Sequence, residues 1–146
     1  WILFRYAEIL LNYAEAMVNA YGDPDYTGSY SLSARDAVNQ VRNRGDVKMP
    51  AYPTDMKKDA FLKRLRNERR VEFAFEGQRF WDLRRWKELD NMQNIYKVKV
   101  VKQTDGTIQY TKVLHATYNI QDKMYFYPIS NTELFKNHKL VQNTGW

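Results

Sequence analysis

The sequence predicts a mainly α-helical chain with a small β-hairpin appendage, and three observations predict it. From Ile2 to Ala20 the polar residues Arg5, Glu8, Asn12, Glu15 and Asn19 recur at spacings of three and four, the mark of a helix with one narrow wet stripe. A second long segment, from Met56 to Glu76, carries no proline or glycine and stops at Gly77. Beyond Asn91 the period changes to two, with Tyr96, Val98 and Val100 alternating with Lys97 and Lys99.

The first helix is expected to be packed on most sides, with Ala7, Ala14, Ala16 and Ala20 allowing a partner helix to come close. Gly22-Asp23-Pro24-Asp25 stops it. Ser33 reads as the next N-cap, with Asp36 in the capping-box position and Leu32 placed to staple against Ala37. That helix should run to Gly45, with Arg42 and Arg44 in its last turn where cations favour the dipole. The two form a helical hairpin of the tetratricopeptide type, although no second copy occurs at a fixed period.

After Pro50 and Pro53 come the Met56–Glu76 helix and a short one holding Arg79 to Trp86. Thr104-Asp105-Gly106-Thr107 supplies a turn, and Ile108, Tyr110 and Lys112 resume the alternation. Met124 to Tyr127 is expected to add a short strand. Ser130-Asn131-Thr132-Glu133 reads as a capping box for a brief helix ending near Asn137. The tail from Leu140 to Trp146 is too apolar to be left in water, so Trp146 is expected to pack back onto the helical body, with Gly145 permitting the bend. No linker demands two domains, and residues 1–146 read as a single region.

The densest signal is NERRVEFAFEGQRFWDLRRW at 67–86, where both signs of charge are threaded through Phe73, Phe75, Phe80, Trp81 and Trp86. Glu68, Glu72 and Glu76 form a like-charge ladder at helical spacing that needs interleaved cations. Arg64 four residues before Glu68, Arg69 three before Glu72, Arg79 three after Glu76 and Arg85 three after Asp82 supply them, so a structural carboxylate–guanidinium network is expected. Trp81 and Trp86 are assigned to the core.

Three segments in order carry a family resemblance. They are RYAEILLNYAEA at 5–16 with VNQVRNRG at 38–45, ERRVEFAFEGQRFWDLRRW at 68–86, and YFYPIS at 125–130 followed by LVQNTGW at 140–146. The chain resembles the C-terminal part of the SusD/RagB family, surface lipoproteins that capture glycans and other nutrients at the outer membrane of Gram-negative bacteria. The resemblance implies a tetratricopeptide-like scaffold, and no cofactor is expected. It also implies a non-enzymatic protein that sits like a lid on a SusC-like TonB-dependent transporter and delivers oligosaccharide to it. Family members are anchored to the cell-surface face by an acylated cysteine; this sequence has no cysteine and opens with Trp1 inside an expected helix, so it reads as a C-terminal fragment of a longer protein.

Other chemistries find little support. His115 and His138 have no ligand-spaced partner, so helical metal motifs are excluded, and the six glycines form no phosphate loop. Glu68 and Glu72 have the residue type of a glycosidase pair, but they sit four apart on one helix among arginines, and a structural role is the simpler reading. A net charge of +6 and the basic run Lys57, Lys58, Lys63, Arg64, Arg66, Arg69 and Arg70 raise nucleic-acid binding. Asp59, Glu68 and Glu72 interrupt that run, and no recognition motif accompanies it. For sugar contact the candidates are loop tyrosines, Tyr26, Tyr30 and Tyr52, with Tyr21, beside Asp23 and Asp25. The rival to a nutrient-binding protein is a helical protein-interaction domain without a ligand of its own.

Overall fold

A computed structural model describes residues 4–45 and 47–146, so the expected helix start at Ile2 lies outside the described residues. The chain falls into two compact units that divide between Arg79 and Phe80.

In the first unit, α1 (Tyr6–Tyr21), α2 (Ala34–Arg42) and α3 (Lys58–Glu72) surround one core. Helix α1 gives it Leu10, Leu11, Ala14, Met17 and Val18, α2 gives Ala34, Ala37, Val38 and Val41, and α3 gives Phe61 and Leu65. Each large aliphatic side chain so buried contributes about 1.5–3 kcal/mol. Ala14, Ala34 and Ala37 are wholly buried, and their lack of bulk lets α1 and α2 lie close as the expected helical hairpin. The packed side of α1 is narrower than expected, because Tyr6, Ile9, Ala16 and Ala20 are exposed.

The helix ends follow their local chemistry. Gly22 takes a left-handed conformation (φ 77°) and its N–H reaches the Val18 carbonyl at 2.9 Å, which closes α1. Ser33 caps α2: its Oγ accepts from the Asp36 N–H at 3.1 Å and donates to the Asp36 carboxylate at 2.7 Å, while Leu32 packs on the core.

Helix α2 stops at Arg42, not at Gly45 as expected. The Arg42 carbonyl accepts from Met49 N–H at 2.9 Å and that of Arg44 from Val47 N–H at 3.0 Å, so the chain has already turned back. Helix α3 likewise stops at Glu72 rather than Glu76. Arg5 donates to the Glu72 carbonyl at 2.9 Å, satisfying one of the carbonyls a helix end leaves open, and Phe75 sits at φ 67° in the turn that follows.

Helix α4 (Gln78–Arg85) leads into the second unit, where β1 (Asn94–Lys102) and β2 (Ile108–Thr117) pair antiparallel with Val98 opposite Lys112. Gly106 (φ 86°) and Asp105, which accepts from both the N–H and the hydroxyl of Thr107, shape the turn. The expected strand at Met124–Tyr127 is instead a 3-10 turn over Asp122–Tyr125. The Trp146 indole donates to the Lys123 and Phe126 carbonyls at 3.0 and 3.1 Å, and the Asn143 amide donates to the Tyr127 carbonyl at 2.5 Å, so side chains take acceptors a partner strand needs.

The brief helix α5 (Asn131–Lys136) starts after Ser130, but without the expected capping box. Its Glu133 carboxylate pairs with Lys136 at 2.9 Å instead. Trp146, expected to pack back onto the helical body, has its described contacts on the Asp122–Tyr125 turn of its own unit, and Leu140 and Val141 are exposed. Gly145 (φ 89°) makes the bend there, and a β-carbon would meet that of Lys123 at 3.0 Å.

Candidate functional site

Within α3 and the turn after it, the three glutamates face cations from other segments rather than from their own helix. Glu68 meets Arg42 of α2 at 2.5 Å. Glu72 accepts from Arg5 and Arg44, each at 2.8 Å, and Glu76 takes the Arg5 fork at 2.8 and 3.0 Å. The sequence pairs Arg64 with Glu68, Arg69 with Glu72 and Arg79 with Glu76, whereas the contacts just described are with Arg42, Arg5 and Arg44. The Arg64 guanidinium lies 4.7 Å over the Tyr52 ring. Arg69, buried beneath α1, donates to Asn12 Oδ1 at 2.6 Å. Glu76 and Arg79 do not share a helix, because α3 ends at Glu72 and α4 begins at Gln78.

Asp82 and Arg85, both in α4, meet at 2.9 Å. The hydrogen bonds from Glu76 and Glu72 raise the Arg5 guanidinium above its ordinary pKa.

The loop tyrosines divide. Tyr52 is buried in the core, its ring edge-on to Phe61 at 5.5 Å and its hydroxyl 3.3 Å from Glu68 Oε2, so it is not the exposed sugar platform the sequence suggests. Burial, with the Glu68 charge beside it, pushes the phenol pKa up, and it remains a neutral donor. Tyr21, Tyr26 and Tyr30 are exposed and gather together. The Tyr21 and Tyr26 rings stack at 4.1 Å, and the Tyr21 and Tyr30 hydroxyls are 3.2 Å apart. Gly28 (φ 50°) lies against the Tyr26 ring, where a β-carbon would sit 2.5 Å from the phenol oxygen. The cluster presents an aromatic surface with phenol groups at its edge, the chemistry that meets a sugar's C–H face and hydroxyls.

Arg35 holds the base of this loop. Its fork grips Asp25 at 2.6 and 2.9 Å, and it donates to the carbonyls of Pro53, Thr54 and Met56. The Arg35 hydrogen bonds lower the Asp25 pKa. Sequence reading missed Arg5, Arg35, Arg42 and Arg44 as partners. Arg42 and Arg44 carried a helix-dipole signal only, and Arg5 was one of five residues in a polar stripe.

Trp81 is exposed, contrary to the core assignment. It stands edge-on to Phe80 at 5.1 Å and near Tyr127 at 6.0 Å, while Trp86 is half-buried under the Arg85 guanidinium. Among the described residues no group of three histidine, aspartate or glutamate side chains is placed to hold a metal ion, and no helix is long and apolar enough to cross a membrane.

SusD-like protein P38 of Formosa agariphila is 37% identical over 88 residues, an alignment covering 56% of this chain and 16% of that protein. The crystal structure of a SusD-like protein from Bacteroides fragilis superposes with a TM-score of 0.80 at 33% identity, over 100% of this chain and 26% of the other. The chain thus spans about a quarter of the length of that structural relative. The SusD family model matches residues 1–146, and the chain belongs to the SusD family.

Proposed function

We propose that this chain is the scaffolding portion of a non-enzymatic glycan- or nutrient-binding protein in an outer-membrane uptake system of the SusC/SusD type. In this reading the full-length protein is lipid-anchored on the cell-surface face and passes oligosaccharide to a SusC-like TonB-dependent transporter. Family membership supplies the class. The observation that carries the reading is the use to which Glu68 and Glu72 are put: guanidinium groups from α2 and from the chain before and after the hairpin engage Glu68 Oε2 and both Glu72 oxygens. Carboxylates so engaged are partners in a scaffold, not a proton donor and a nucleophile facing a substrate.

Within this chain the exposed Tyr26 and Tyr30 are the side chains proposed to touch ligand, and the network around Arg64, Glu68, Arg69, Glu72, Glu76, Arg79, Asp82 and Arg85 is proposed to be structural. Calorimetric titration of the full-length protein with a panel of oligosaccharides tests the reading. Saturable binding is expected; a protein that binds none of them and still captures a transporter subunit is an interaction module instead.

A further inference from the structure

A groove separate from the tyrosine cluster runs along the outward side of α2. Its volume is about 870 Å³, within the range of roughly 300–1,000 Å³ usual for ligand sites. One wall is a ladder of polar side chains, Asp36, Asn39, Gln40 and Asn43, that helical spacing sets on one face. The opposite wall is Met49, Pro50 and Ala51.

That second wall is fixed. Met49 N–H donates to the Arg42 carbonyl at 2.9 Å, Arg42 Nε donates to the Pro50 carbonyl at 2.7 Å, and Tyr52 N–H donates to Asn39 Oδ1 at 2.8 Å. Arg42 is itself locked by Glu68. Lys48, just before the wall, is held at φ 48°, a conformation a side chain adopts at some strain and keeps only where its surroundings demand it. A wall pinned at Met49 and Pro50, and at Tyr52 just beyond it, meets a ligand without first being ordered, which removes a common cost of binding.

We propose that this groove is a binding subsite for a neutral oligosaccharide, an inference that rests on the glycan-binding reading above and assigns a place for the ligand within this chain. The Gln40 and Asn43 amides each offer two donors and an acceptor, the pattern that answers hydroxyl groups, which both give and take hydrogen bonds. Asn39 has its oxygen occupied by Tyr52 and keeps its NH₂ as a donor. Met49, Pro50 and Ala51 give an apolar flank for the C–H faces of a sugar ring. Among the described residues no cation lines the groove and Asp36 is the one charged side chain in its lining, so a phosphate, sulfate or uronate ligand meets no described group that would neutralise it.

The test is calorimetric titration of the full-length protein with neutral hexasaccharides of glucose, xylose and mannose, and with a hexasaccharide of galacturonate as the charged comparison. For the double variant Gln40→Ala/Asn43→Ala the expected result is about tenfold weaker binding of the neutral ligand, the loss that deleting hydrogen-bonding groups brings. The melting temperature should stay that of the parent, since both side chains are exposed. Unchanged affinity in the double variant overturns the groove assignment and leaves the glycan-binding reading standing. A parent protein that binds no neutral hexasaccharide overturns both. Preference for the galacturonate ligand, or a variant that binds sugar normally but no longer captures its transporter, also overturns the assignment, the latter by making the groove a protein contact.

Discussion

The Arg42 guanidinium and the Glu68 carboxylate meet at 2.5 Å with both side chains largely out of water, 7% and 16% exposed. Arg42 also holds the Pro50 carbonyl and lies 5.0 Å over the Tyr52 ring, whose hydroxyl reaches the same Glu68 oxygen. One side chain therefore ties α2, the loop after it and α3. Removing it leaves a buried carboxylate without its cation, which costs about 3–5 kcal/mol. Arg42→Ala should lower the denaturation midpoint accordingly. Arg42→Lys should fall between, because an ammonium keeps the charge but not the fork. A midpoint equal to the parent's for Arg42→Ala rules out a stabilising role for the pair.

Glu72→Ala should cost less, about 1 kcal/mol. It releases Arg5 and Arg44, whose side chains are 33% and 41% exposed and can be rehydrated where they stand. Equilibrium unfolding of the two variants side by side checks the ranking. A larger loss for Glu72→Ala than for Arg42→Ala would show that burial is not what sets these energies.

The Asp25–Arg35 contact gives a pH dependence of known sign. Asp25 has a lowered pKa when folded, so the unfolded chain binds its proton first as pH falls. The contribution is present above the ordinary carboxylate value of about 3.9 and is lost as pH drops through the lower folded value. Asp25 is half exposed, so the effect is small. The stability difference between the parent and Asp25→Asn should shrink below about pH 4; a difference that grows there contradicts the assignment.

Incubation of the full-length protein with oligosaccharide should release no new reducing ends. Turnover that disappears in Glu68→Gln is the result that would end the binding-protein reading.

Deleting residues 140–146 removes the indole that donates to the Lys123 and Phe126 carbonyls. Amide exchange should quicken around residues 122–129 while α1 to α3 keep their protection. Exchange unchanged in that stretch would make the tail dispensable. Because Trp146 is 47% exposed, the loss is smaller than a buried tryptophan would bring.

The helices and the hairpin were legible in the sequence because each carries its own local signal: Ser33 with Asp36, Gly22 after an amphipathic run, Asp105-Gly106 between alternating strands. The partners of the charge run were not. Spacing within one helix reveals only neighbours three and four away, whereas Arg5, Arg42 and Arg44 reach α3 and the turn after it across 26 to 71 residues of chain. Tyr52 misled for a related reason. It follows Pro50 in a loop and reads as exposed, yet Asn39 and Arg42 draw that loop inward until the ring joins the core. Trp81 failed in the other direction, since its place in an aromatic run says nothing of which side of a short helix is covered.

Arg5 closes a long circuit, reaching Glu72 and Glu76 over separations of 67 and 71 residues. Synthesis at roughly 5–20 residues per second puts several seconds between the two ends of that circuit. In the interval α1 and α2 can already meet, being neighbours in sequence, while the start of α1 waits for residues not yet made. The last fastening is a long-loop closure, slow to search for and made only when α3 has been capped. A chain arrested before Glu72 therefore lacks both carboxylates that Arg5 grips, and the start of α1 has nothing to fasten it to α3.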